Sequence, residues 1–244
     1  MILILQSGAC DDFAPRGRRA EQSVGSCRRC RAIPISERRI WSAPDTGLHI
    51  ETPMTEIYLI RHGETEWNVQ GRFQGKLDSS LTDTGVRQAG AIGRRLAGLD
   101  LSIDAFVSSP LGRTRQTAAI IAGSANLPAA QCDDRLAEVS LGSWDGLTHI
   151  DIDAQWPGLL DGSTPFDWFF RSPDGESYNA AFLRIESWLR ERQGVTVAVS
   201  HGLVSRIIRG AYSGLSKAEA LSLPVPQDVI WRLSNGRIEP ISVG

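Results

Sequence analysis

A chain of 244 residues with 41% apolar composition is long enough to bury one substantial core. A formal charge of −2 gives no global reason to expect nucleic acid or an anionic membrane as partner, and no stretch approaches the roughly 20 apolar residues that cross a bilayer. The four cysteines, at 10, 27, 30 and 132, are scattered rather than set as a disulfide framework, which points to a reducing, cytoplasmic setting.

Residues 1–53 carry eight Arg, no Lys, six acids and three of the four cysteines, without a sustained period of 2 or 3.6. They are expected to be a disordered extension, or to lie upstream of a true start at Met54. Cys27-x-x-Cys30 is expected to be neither half of a zinc site nor a redox pair, because no second Cys/His pair sits at ligand spacing and no βαβ context surrounds it. A single domain is expected over 54–244.

From there the periods alternate. Ile57-Tyr58-Leu59-Ile60 reads as a buried strand that stops at Arg61-His62-Gly63. A polar loop, 68–80, follows. Thr82 then caps an amphipathic helix through Val86, Ala89, Ile92 and Leu96. Asp104–Ser108 is a second strand, and Ser109-Pro110-Leu111-Gly112-Arg113 opens a second helix. Val195–Ser200 is a further strand ending in His201-Gly202, with a helical pattern from Leu203 to Tyr212. Ser234-Asn235-Gly236 between two β-rich runs signals a hairpin and an antiparallel edge near the carboxyl terminus. The pattern predicts an α/β/α three-layer sandwich with a mostly parallel sheet. The segment from Leu147 to Tyr178, with Trp156, Phe166, Trp168, Phe169 and Phe170 among Pro, Gly and Asp, suits either a lid or a satellite apolar cluster under a long loop.

Two histidines at strand ends, with arginines beside them, form a donor-rich cluster at the sheet edge where α/β proteins bind ligands. Such a cluster suits a dianionic phosphate, and either imidazole can attack phosphorus. Arg113, at the start of a helix, adds a guanidinium fork. A carboxylic acid is then needed to protonate a departing alkoxide, and Glu138 is the candidate. Taken singly, each has a plainer meaning: a satisfied strand-end His, a solvated Arg, a helix-end acid. Their combination favours phosphate chemistry. Arg94, Arg95 and Arg115 read as a solvated helix face, and His49 and His149 as ordinary surface or loop residues.

Leu59-Ile60-Arg61-His62-Gly63-Glu64-Thr65-Glu66-Trp67-Asn68 resembles the signature of the histidine phosphatase superfamily, in the branch with cofactor-dependent phosphoglycerate mutases, fructose-2,6-bisphosphatases and α-ribazole phosphatases. Further blocks follow in the family's order: Leu81-Thr82-x-x-Gly85-x-x-Gln88-Ala89; Ser108-Ser109-Pro110-Leu111-x-Arg113-x-x-x-Thr117-Ala118; Leu136-x-Glu138-x-x-x-Gly142-x-Trp144-Asp145-Gly146; and Ser200-His201-Gly202. The resemblance spans roughly residues 55–242.

It implies that His62 is the nucleophile, that Arg61, Arg113 and His201 hold the phosphoryl oxygens, and that Asn68 joins them. It further implies that Glu138 is the general acid, and that Gln74 and Gly75 meet the substrate beyond the phosphate. Asp174-Gly175-Glu176-Ser177 resembles a block at the start of the last major helix, where acid and hydroxyl are expected to cap. No metal and no cofactor are expected, and a small phosphorylated molecule is the expected partner. Only 62 residues separate Glu138 from His201, fewer than in the family's mutases, which favours a phosphatase over a phosphoglycerate mutase. The aromatic residues of 156–170 suggest an apolar or ring-bearing leaving group, or Arg171 meets a second anion.

Overall fold

The central strand forms as Glu56–Arg61 (β1), with Ile57 and Leu59 buried on one face and Tyr58 and Ile60 on the other. Burial on both faces explains the unbroken apolar run. The computed structural model describes residues 55–164 and 167–243. Residues 1–53 with their cysteine pair and His49, the Met54 start, and Phe166 lie outside the described residues.

After β1 come Glu66–Val69 (α1), Asp83–Ala97 (α2), Ala105–Ser108 (β2), Gly112–Ala125 (α3) and Gln131–Cys132 (β3). His149–Gln155 (α4), Tyr178–Arg190 (α5), Val195–Ser200 (β4), Gly202–Ser213 (α6) and Lys217–Ser222 (α7) follow, and Val229–Ser234 (β5) and Arg237–Ser242 (β6) close the chain. Thr82 caps α2 by accepting from the Gly85 amide, and Asn235 and Gly236, both at positive φ, turn the β5–β6 hairpin.

The sheet order is β3-β2-β4-β1-β5-β6. The pairings β3–β2, β2–β4 and β4–β1 are parallel, and β1–β5 and β5–β6 are antiparallel, so the antiparallel edge is where the hairpin signal put it. α5, α6 and α7 cover the face carrying Ile57 and Leu59, through Ile185, Trp188, Ile207 and Leu221. α2 and α3 cover the face carrying Tyr58 and Ile60, through Ile92, Leu96 and Ile121. Three layers result. The connection from β1 leaves over one face and that from β4 over the other, so a crevice opens beyond the carboxyl ends of these adjacent strands.

Three local expectations change. α1 interrupts the start of the expected loop; it is a four-residue turn held by a Thr65/Asn68 capping box and buries no side chain, so it carries no apolar period. α4 lies in the segment that lacked a regular pattern, because only Ile152 of its seven residues is buried, while Ile150 is 80% exposed. In that segment the satellite cluster forms: Leu141, Trp144, Ile152 and Trp168 bury together. In the Asp174–Ser177 block only the hydroxyl caps, Ser177 accepting from the Ala180 amide. Glu176 pairs with Arg184 at 2.7 Å, Asp174 accepts from the Ser143 amide at 2.9 Å, and α6 and α7 still follow α5.

Candidate active site

In the β1–β4 ladder Arg61 lies opposite Ser200, and the His62 amide continues it by donating to the Ser200 carbonyl at 3.0 Å. The next residue of each strand is a histidine, so register alone sets the His62 and His201 rings side by side, 5.3 Å between centroids. The loop after His62 is then pinned. The Gly63 amide donates to Thr117 Oγ1 at 3.1 Å and the Glu64 amide to Gln88 Oε1 at 2.8 Å. A Cβ on Gly63 would stand 2.4 Å from the Gly85 carbonyl oxygen, and one on Gly85 2.1 Å from that of Glu64. The glycines, Gln88 and Thr117 of separate sequence blocks thus serve one backbone crossing.

A cavity of about 310 Å³ opens at this edge, and Arg61, His62, Asn68, Gln74, Gly75, Arg113 and Glu138 all line it. His201 does not: it is fully buried, its Nε2 lies 2.7 Å from Ser109 Oγ, and its Nδ1 has no protein partner. His62 Nδ1 lies 2.8 Å from the Gly63 carbonyl. A carbonyl only accepts, so Nδ1 carries the proton and Nε2 keeps the lone pair. Burial, reinforced by the Arg61 and Arg113 charges, holds the His62 pKa well below the usual histidine range. Burial also holds His201 well below it, with Arg113, His62 and Arg61 adding to the effect.

Arg113 is anchored rather than loose. Its Nη1 donates to the Leu77 carbonyl at 2.6 Å and to Asp78 Oδ1 at 2.9 Å, and its Nη2 to the Gly75 carbonyl at 2.8 Å. Asp78 also accepts the Gly112 amide at 2.7 Å and the Arg113 amide at 3.2 Å, capping α3 from outside. Arg61 Nη1 donates to the Val225 carbonyl at 2.6 Å. The Nε atoms of both arginines are buried without a protein partner. Burial lowers the Arg61 pKa to about 10, with Glu138 opposing and Arg206 and Arg113 adding, so it remains a cation at neutral pH. Both arginines line the cavity, and two cations in one wall suit an anion.

Glu138 accepts from the amides of Val139 (3.0 Å), Leu203 (3.3 Å) and Val204 (3.2 Å), which fixes it against the first turn of α6. Gln74 is buried and accepts from Ser79 Oγ at 3.2 Å. Gly75 sits at φ +48°, where a Cβ would overlap the Asp145 carboxylate.

The histidine phosphatase superfamily (branch 1) family model matches residues 57–235. The chain belongs to that superfamily. Members act on phosphoryl groups of small molecules, and the named relatives divide between two activities. A probable phosphoglycerate mutase of Erwinia tasmaniensis is 34% identical over 195 residues, covering 77% of this chain and 85% of that one. Among solved structures, Bacillus stearothermophilus YhfR superposes with a TM-score of 0.67 at 29% identity, over 77% of this chain and 96% of that one. A mycobacterial glucosyl-3-phosphoglycerate phosphatase superposes with a TM-score of 0.63 at 29% identity, over 77% and 98%.

Within this member of the superfamily the sequence reading missed several cavity residues: Arg72, Phe73, Leu203, Arg206 and Val225. Arg206 was legible in principle, one helical turn beyond Gly202 and facing the same end of α6. Arg171 is not in the wall; its Nη1 donates to the Asp161 carbonyl at 2.7 Å and braces its own segment. Of the aromatic residues of 156–170 with described positions, only Phe169 reaches the cavity, while Trp156 and Trp168 pack in the satellite cluster. His149 is exposed, yet its ring leans on Trp168 at 4.3 Å. Arg94, Arg95 and Arg115 are exposed. Among the described residues no helix is long and apolar enough to cross a membrane.

Proposed function

We propose that the chain is a phosphomonoester hydrolase acting through a phosphohistidine at His62. The observation that carries this reading is the His62 ring itself: proton on Nδ1 held by its own backbone, lone pair on Nε2, and the Arg61 and Arg113 cations in the wall of the same cavity. A depressed His62 pKa keeps the nucleophile neutral at working pH.

In the first step the Nε2 lone pair attacks phosphorus and the ester P–O bond breaks. The departing oxygen takes the proton of the Glu138 carboxyl group. In the second step water attacks the phosphohistidine, Glu138 takes its proton, and the P–N electrons return to His62. Arg61 and Arg113 balance the charge that spreads over the phosphoryl oxygens, and Asn68 donates to them, which is where catalysis of this kind gains most. His201 acts from within the protein, through the ring edge beside His62 and its hydrogen bond to Ser109. Gln74 and Gly75 meet the leaving group, and Phe73 and Phe169 give it an apolar wall. The substrate is a small phosphomonoester, and the setting is cytoplasmic.

Water distinguishes hydrolase from mutase. A mutase must keep its phosphohistidine dry while an intermediate reorients. Here, among the described residues of 146–174, Ile152 and Trp168 are spent on the cluster with Leu141 and Trp144, and only Phe169 lines the wall. The mutase-named relatives supply the alternative, phosphoglycerate mutase. A panel of phosphomonoesters incubated with purified protein tests the choice. Phosphate should be released near neutral pH with no bisphosphoglycerate added. Interconversion of 3- and 2-phosphoglycerate faster than phosphate release, and dependent on that primer, would establish the mutase instead.

A further inference from the structure

Asn68 lines the cavity, and its orientation is set from outside the wall. The Thr65 amide donates to Asn68 Oδ1 at 3.2 Å; a backbone N–H only donates, so the atom facing it is the oxygen. Gln227 Nε2 donates to the same Oδ1 at 3.1 Å and to the His62 carbonyl at 3.2 Å. That carbonyl only accepts, which fixes the Gln227 amide in turn. With Oδ1 engaged by two donors, the NH₂ group of Asn68 is what remains for the cavity. Gln227 itself is not part of the wall.

The loop that carries Gln227 is gripped by the elements that carry the histidines. Three consecutive carbonyls each accept from a different arginine: Leu223 from Arg206 Nε at 2.7 Å, Pro224 from Arg209 Nη2 at 2.5 Å and Val225 from Arg61 Nη1 at 2.6 Å. Arg206 and Arg209 belong to α6, and Arg61 ends β1. Pro224 and Pro226 stiffen the same stretch.

We propose that Gln227 is a positioning residue for the phosphoryl group: through Asn68 it presents an N–H donor to the phosphoryl oxygens. The proposal rests on the phosphohistidine reading of the site. Its sharpest consequence is one of polarity. In Gln227→Glu a carboxylate of the same size faces two acceptors, the His62 carbonyl and Asn68 Oδ1. Asn68 can relieve this only by turning its amide, which strips the Thr65 amide of its acceptor and aims an oxygen at the phosphate.

The test is a double-mutant cycle read by orthovanadate inhibition and by kcat/KM for p-nitrophenyl phosphate. Gln227→Glu should weaken both roughly ten- to hundredfold, the range for a charge-assisted hydrogen bond, and more than Gln227→Ala does. The thermal midpoint should stay close to wild type. In an Asn68→Ala background the further loss from Gln227→Glu should shrink to about threefold or less. Gln227→Met, isosteric and without the amide, runs through the same cycle if the Glu variant does not fold. Equal losses in both backgrounds, or a Gln227→Glu variant matching wild type, would overturn the positioning role alone. Wild-type protein that ignores vanadate, or His62→Ala that still turns over, would overturn the site reading beneath it.

Discussion

At the carboxyl ends of β1 and β4, His62 and His201 are placed by a ladder of backbone pairings, whereas the segment that walls the cavity is placed by ring against ring. Trp168 lies 3.9 Å from Phe169, 4.5 Å from Phe73 and 6.4 Å from Trp144, centroid to centroid. A one-residue slip of the ladder would turn the histidine of the slipped strand to the wrong face and part it from the other, so the sheet edge has one arrangement. Ring packing tolerates small shifts and volume-conserving swaps. On the proposed reading the attacking ring sits on the first, and the apolar wall beside the leaving group on the second.

Substitution at each region should separate these roles. His62→Ala, at the sheet edge, should lower turnover at least about 10⁴-fold while the protein stays folded, because it removes the proposed nucleophile and leaves both cores intact. Steady-state kinetics and circular dichroism check it; residual turnover within tenfold of wild type would place the chemistry elsewhere. Phe169→Ala, in the wall, should raise KM for aryl phosphates about five- to thirtyfold through lost apolar contact, with kcat within twofold. A matched loss of kcat would mean the wall shapes the transition state as well.

The smallest effect is on stability. The unfolded chain protonates its histidines near pH 6.5, while folded His62 and His201 resist protonation because burial and nearby arginines hold their pKa values low. Between those limits the unfolded state binds more protons, so stability rises with pH and is lost as pH falls below about 6.5. Urea midpoints from pH 7.5 to 5 should show this fall, and His62→Ala should make it shallower. A flat profile in wild type would show that the buried rings do protonate.

How far the sequence discloses such a protein depends on the range of the contacts. Arg61 and His62 were legible because an apolar run must end where the sheet does, and Arg113 because it opens a helix after a strand. The layers were legible for the same reason, since the periods of 2 and 3.6 alternate. Gln88 and Thr117 stood in recognisable blocks, but their job of holding the Gly63–Glu64 backbone appears only in three dimensions. Asp78 looked like one acid in a polar loop, yet it ties that loop to Arg113 across 35 positions. Gln227 reaches Asn68 across 159 positions from a loop with no period at all. α4 was hidden because one buried isoleucine makes no pattern, and Arg171 misled because a carbonyl partner leaves no trace in the sequence.

The proposed phosphohistidine is most directly tested by trapping it. Glu138→Gln, which can neither protonate the leaving oxygen nor activate water, should be mixed with an aryl phosphate, whose good leaving group needs no acid, then quenched in alkali and digested for mass spectrometry. A phosphoryl group on the peptide containing His62, stable in alkali, lost in acid and missing from His62→Ala/Glu138→Gln, is the expected result. Phosphate released with no label on that peptide at any time, or label on a peptide containing His201 instead, would contradict it.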